Sequence, residues 1–175
     1  MFEGQTAHAI ARLMASEPWK TLHLFDSCVG LPACTVWDVP GAPAHPVDTQ
    51  AHPKTAGLYA APEAKIRQTM ENSPTDWVLH PGWFSETCPD FAASLCFAHV
   101  DCDLYAGTVL ALETCRRLVI PRGIVVVHDY GTHWCGVTRA VDEVCSVETW
   151  QSVGNVAIDG QRVMQRRGEN GWRRA

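Results

Sequence analysis

The sequence predicts an α/β fold: an open, mostly parallel sheet with helices between its strands and an antiparallel hairpin at the C-terminal edge. Three observations carry this. Segments of strand length alternate with segments of helical apolar spacing along the chain. The run GIVVV at Gly123–Val127 is almost wholly β-branched, as expected of a strand buried on both faces. Asp159-Gly160 stands between two alternating runs in NVAIDGQRVMQ, a strong short-range hairpin signal.

In chain order, Gly4–Ser16 is predicted as a helix, with Ile10, Leu13 and Met14 on one side. Thr21–Asp26 (TLHLFD) follows as a strand, ended by Gly30 and Pro32. Residues 33–56 are rich in Pro, Ala and His without a period, and a loop of that length suggests a functional element. Trp37 within it makes the segment a candidate lid. A helix is expected near Pro62–Asn72, a strand at Asp76–His80, and a short helical segment at Glu86–Ala93. Leu95–Asp101 (LCFAHVD) has strand length, Thr108–Leu118 and Thr138–Val147 have helical spacing, and 167–175 forms a basic tail. The whole of 1–175 is expected to form a single domain.

The 175 residues suffice for a substantial core, and 46% hydrophobic with 19% charged residues excludes disorder and coiled coil. A net charge of −5 argues against nucleic-acid and membrane-surface partners, which need clustered cations. No apolar stretch approaches the roughly 20 residues of a membrane span, and the N-terminus lacks a cationic leader, so a cytoplasmic location is expected. The eight cysteines include no C-x-x-C pair. Cys96, Cys102, Cys115 and Cys145 lie in apolar or helical patterns and are expected to be reduced thiols acting as small hydrophobes.

In an open α/β sheet, ligands bind beyond the carboxyl ends of the strands. Those ends carry Asp26-Ser27, Pro81-Gly82-Trp83, Asp101-Cys102-Asp103 and His128-Asp129-Tyr130. On an extended backbone Asp101 and Asp103 would share a face, and adjacent carboxylates call for a cation or a shared proton. His128 and Asp129 could complete a site for Mg²⁺ or Mn²⁺. The alternative for the aspartates is helix capping, and for His128 a purely structural hydrogen bond. Asp26 stands where an acidic residue can hold a ribose, or where a turn aspartate can bond its own backbone.

FDSCVGLP (25–32), HPGWFSETCP (80–89), HVDCDLYAGT (99–108), RGIVVVHDYG (122–131) and GVTRAVDEV (136–144) resemble the TylF/macrocin O-methyltransferase family. The resemblance runs from about Phe2 to Arg166. It implies a Rossmann-like class I methyltransferase sheet using S-adenosylmethionine and a divalent metal to methylate a hydroxyl of a sugar or other small natural product. It further implies that Asp26, with Ser27, holds the cofactor's ribose and that Gly82 and Trp83 border its adenine. Gly4 and Thr6 would lie near its carboxylate, Asp101 and Asp129 would be metal ligands, and Asp103 would be the general base. Where the family carries Asp-Asp-Tyr, this chain has His128-Asp129-Tyr130, which favours Mn²⁺ over Mg²⁺. The family's first strand and the first half of its glycine-rich loop precede FEGQT. The resemblance therefore implies an N-terminally truncated sheet lacking that strand, with weak cofactor binding and low stability. Rival expectations are a degenerate homologue acting through binding alone and a metal-dependent hydrolase. The sequence leaves the hydroxyl acceptor and the oligomeric state, including a homo-oligomer, open.

Overall fold

The structure, a computed structural model, describes residues 2–39, 56–156 and 160–168. Most of the expected lid, Asp159 of the hairpin turn and 169–175 of the basic tail lie outside the described residues. The described residues fall into two compact units, one from within 1–33 and 54–89, the other from within 34–53 and 90–175.

The first unit contains helix α1 (Gln5–Leu13), strand β1 (Leu22–Asp26), helix α2 (Glu63–Met70), strand β2 (Trp77–Pro81) and helix α3 (Phe84–Thr87). Short 3₁₀ turns, Phe2–Gly4 and Met14–Ser16, flank α1. β1 and β2 pair in parallel from Leu22↔Trp77 to Asp26↔Pro81. Residues four apart on a helix share a face, so Ala7 and Ala11 of α1 and Ile66 and Met70 of α2 bury together against Leu24 and Leu79. Gly30, at φ +89°, permits a close crossing of two loops. A Cβ there would lie 2.6 Å from the backbone of Gly57 and Leu58. The helix expected at Glu86–Ala93 instead spans Phe84–Thr87. Glu86 Oε2 accepts the Trp83 N–H at 3.3 Å to start it, and Pro89 has no N–H with which to continue it.

The second unit holds β3 (Leu95–Val100), α4 (Tyr105–Leu118), β4 (Val119–Val127), α5 (Cys135–Val144), β5 (Trp150–Val156) and β6 (Gln161–Arg166). Its sheet runs β3-β4-β6-β5, parallel between β3 and β4 and antiparallel across β4, β6 and β5. The hairpin expected around Asp159-Gly160 is therefore the β5–β6 pair, with Gly160 at φ +59°. β4 starts four residues before Gly123, because the register steps from Leu95↔Val119 to Phe97↔Ile124 and accommodates Pro121 in a bulge. Val125 and Val127 are fully buried, whereas Ile124 and Val126 are only half-buried, so β4 alternates rather than burying both faces alike. The core joins these valines to Leu112 and Cys115 of α4, Val137 and Val141 of α5, Trp150 and Met164.

All eight cysteines are free thiols. Burial pushes the Cys145 thiol up to about 12, and Cys115 lies in the core. Cys96 departs from the expectation of a core hydrophobe and is exposed. Among the described residues no helix is long and apolar enough to cross a membrane.

Candidate active site

β3 and β4 end level with one another, Val100 opposite Val127, and the N–H of His128 donates to the Val100 carbonyl at 2.9 Å. Parallel strands in that register deliver Asp101 and His128 side by side. His128 Nδ1 lies 3.3 Å from Asp101 Oδ1 and 3.0 Å from Asp129 Oδ2. One ligand atom from each of Asp101, His128 and Asp129 lies within 4.8 Å of the other two. Despite these short distances, Nδ1 is buried and aligned with neither oxygen as a hydrogen bond. Two carboxylates and an imidazole nitrogen facing a common point fit a divalent cation with borderline preferences.

The electrostatics reflect crowding of negative charge. Burial pushes the Asp129 carboxyl up, with His128 opposing and Asp103 and Asp101 reinforcing. For His128, burial disfavours the charged form, but the Asp129 carboxylate 3.0 Å away and the charges of Asp101 and Asp103 outweigh it, so its pKa is raised. Asp129 sits at φ +64° and is 8% exposed. Its carbonyl accepts the N–H and hydroxyl of Thr132 at 3.3 and 2.8 Å, which closes the turn after β4.

Asp103 does not extend the strand that leads to Asp101. Strand β3 stops at Val100 and Asp103 has φ +61°, so the extended backbone that would put it on the face of Asp101 is absent. Its charge nevertheless acts on His128 and Asp129. Cys102 packs against the core as expected, and burial raises its thiol well above the usual range. His99, two residues before Asp101, was given no role from sequence. Its ring centroid lies 6.3 Å from that of His128, and burial lowers its pKa.

The first unit brings Asp26, Ser27 and Gly82 together at the carboxyl ends of β1 and β2. The Gly82 N–H donates to the Asp26 carbonyl at 3.0 Å, and Gly82 adopts φ +136°. Asp26 Oδ1 accepts the Cys28 N–H at 2.8 Å, the backbone-bonding turn foreseen as its alternative. The Ser27 hydroxyl donates to the Gly30 carbonyl at 2.7 Å. Trp83 follows Gly82 and is exposed. Gly4, at φ +81°, precedes α1 beside Ile66 and Thr69 of α2, and exposed Thr6 lies in the first turn of α1.

Asp38 was also missed. Thr35 and Asp38 form a reciprocal capping box, whose T-x-x-D spacing was legible, but the carboxylate's second partner is Tyr105.

A family model described as "Methyltransferase domain" (Methyltransf_24) matches residues 1–130. A curated relative from Streptomyces olivaceus, 8-demethyl-8-(2,3-dimethoxy-alpha-L-rhamnosyl)-tetracenomycin-C 4'-O-methyltransferase, is 32% identical over 115 residues, 63% of this chain. The chain covers 42% of that relative's length. Among solved structures, the O-methyltransferase NovP superposes with a TM-score of 0.70 at 23% identity, covering 96% of this chain and 69% of that one. The calicheamicin methyltransferase CalS11 gives 0.71 at 19% identity, covering 95% and 69%. These two likenesses establish a Rossmann-like α/β fold. The family match spans β1 to β4 and reaches both Asp101 and His128-Asp129, and on it the chain belongs to the methyltransferase-domain family.

Proposed function

We propose that this chain is the catalytic portion of an S-adenosylmethionine-dependent O-methyltransferase of the TylF/macrocin kind, assisted by a divalent metal. The observation that carries the reading is the convergence of Asp101, His128 and Asp129 at paired strand ends in a methyltransferase-domain chain. The acceptor class follows from the 32% identical relative, whose name describes methylation on a rhamnosyl group. A sugar hydroxyl on a natural product is the corresponding acceptor here.

When bound, the cofactor supplies an electrophilic methyl group on sulfonium and the metal supplies Lewis acidity that lowers a hydroxyl pKa. Asp101, His128 and Asp129 would hold the cation. Asp103 would take the proton of the acceptor hydroxyl as general base. Asp26, with Ser27, would hold the ribose hydroxyls, and Gly82 and Trp83 would border the adenine. Gly4 and Thr6 present the N–H-rich start of α1 to the cofactor's carboxylate. This chain's residues would contribute chiefly by aligning the acceptor and excluding water.

Calorimetric titration with S-adenosylhomocysteine, with and without Mn²⁺, tests binding. Transfer of a labelled methyl group to a rhamnosyl-bearing tetracenomycin tests the reaction. Failure to bind S-adenosylhomocysteine in either condition would leave a binding homologue without catalysis.

A further inference from the structure

Asp38 is only 8% exposed, and both its carboxylate oxygens are engaged. Oδ2 accepts the N–H and the hydroxyl of Thr35 at 2.8 and 2.7 Å. Oδ1 accepts the backbone N–H of Tyr105 at 2.7 Å, 67 residues away in sequence. Tyr105 is the first residue of α4, and Leu104, at the capping position, provides no side-chain cap. The first N–H groups of a helix have no partner within it. Here the acceptor arrives from a distant turn, and its charge strengthens the bond.

α5 leaves room for this contact. A Cβ on Gly136 would stand 2.3 Å from Asp38 Oδ1 and 2.9 Å from the Tyr105 nitrogen. Beside it, the Arg139 guanidinium lies 3.8 Å from the Trp37 ring centroid, holding the same turn against α5. The carboxylate therefore bonds the start of α4 while lying against the start of α5, where the Cys135 thiol meets the Asp38 carbonyl at 3.9 Å. The connection entering α4 carries Asp101 and Asp103, and the one entering α5 carries His128 and Asp129. Asp103, two residues before Tyr105, holds a left-handed backbone conformation that persists only when its surroundings fix it.

We propose that Asp38 is a positioning residue for the cation cluster: by holding the Tyr105 N–H beside the first turn of α5, it fixes the Asp101–Leu104 connection relative to His128 and Asp129. The inference rests on reading that cluster as a metal centre.

Mn²⁺ titrated into the whole chain, with free Mn²⁺ followed by electron paramagnetic resonance, tests it without an acceptor. Loss of a residue supporting metal ligands typically weakens affinity about 10–100-fold, and that loss is expected for Asp38→Ala. Gly136→Ala keeps the carboxylate but displaces it, and is expected to do the same. It preserves the test if Asp38→Ala fails to fold. Thr35→Val removes the hydroxyl contact on the far oxygen and the hydroxyl's cap on the Trp37 N–H but leaves the Tyr105 bond in place, and is expected to stay within about threefold of the parent, well short of that supporting-residue loss. Amide exchange at Tyr105 should accelerate in the first two variants and not in the third. Faster exchange with Mn²⁺ affinity within about threefold of the parent would overturn the inference, since supporting residues cost more than that. A Thr35→Val loss equal to that of Asp38→Ala would also overturn it, by reducing Asp38 to a role inside its own turn. If Asp101→Asn binds Mn²⁺ as the parent does, the metal reading falls and takes this inference with it. If Asp101→Asn weakens binding while Asp38→Ala does not, only the inference on Asp38 falls.

Discussion

Replacing Asp129 by asparagine removes a charge from the cluster with little change of shape. The residue sits at φ +64°, a left-handed conformation that asparagine tolerates as well as aspartate does. The turn bonds to Thr132 come from the backbone carbonyl and survive the change. Two of the three candidate ligands are carboxylates, and the Asp129 side chain is 12% exposed against 31% for Asp101, so its charge is the less screened. A unit charge pair about 4 Å apart interacts by about 4 kcal/mol at an effective dielectric of 20, and a divalent ion roughly doubles that. Desolvation and residual ligation by the amide oxygen return part of it. A loss of at least ~100-fold in Mn²⁺ affinity, about 2.7 kcal/mol, is the expected outcome. The metal-free protein should behave oppositely. Burial raises the Asp129 pKa, so the folded state holds this proton more tightly than the unfolded chain does. The stabilisation present at low pH is lost as pH rises through the folded pKa, and at neutral pH the ionised group works against folding. Asp129→Asn should therefore not lower the metal-free melting temperature. Titration calorimetry with Mn²⁺ and a thermal melt in chelator are the assays. Mn²⁺ affinity within about threefold of the parent would refute the ligand role, being far below the expected loss. A melting temperature lower by more than about 4 °C, on the order of 1 kcal/mol, would show that the carboxylate holds the fold instead.

Asp103→Asn is expected to lower methyl transfer by about 10²–10⁴-fold while S-adenosylhomocysteine affinity stays near the parent's; turnover within a few-fold would assign the proton to another group. Chelator should abolish transfer, Mn²⁺ should restore it better than Mg²⁺, and His128→Asp should move the preference toward Mg²⁺ by supplying a third hard oxygen; full activity in chelator would return His128 to a structural role. His23 Nδ1 lies 3.0 Å from His80 Nε2, and His80 stacks on Phe25 at 4.4 Å. Burial lowers both histidine pKa values, with the charge of His80 adding to the effect on His23. The unfolded chain thus binds more protons below about pH 6.5, and stability should fall there with a slope of at most about 2.7 kcal/mol per pH unit for two sites. His80→Gln should bring that slope toward half, as read from urea midpoints between pH 5 and 7, and an unchanged slope would exclude the pair as its source.

Much of the architecture was legible because it depends on local patterns. The GIVVV run gave the C-terminal half of β4, and Asp-Gly between alternating residues gave the β5–β6 hairpin. Element boundaries were less legible. α4 and α5 each begin three residues before the positions read from apolar spacing, at Tyr105 rather than Thr108 and at Cys135 rather than Thr138. In α4, the N–H at the early start is satisfied by Asp38, which no local window contains. The Asp101–Asp103 pairing failed for a related reason: alternation of faces holds only while the backbone stays extended, and β3 ends before either residue.

The sequence by itself determined the element types, the free state of the thiols and the placing of acidic residues after strands, because periodicity, β-branching and strand-end position are properties of neighbouring residues. Only the tertiary structure decided that His128 stands 3.3 Å from Asp101, that Asp103 leaves the strand direction, and that Asp38 caps a helix 67 residues away. Those outcomes depend on register between parallel strands and on packing of α4 against α5. Parallel strands are joined by long crossovers, so their register is set by burial of the whole layer rather than by any turn between them.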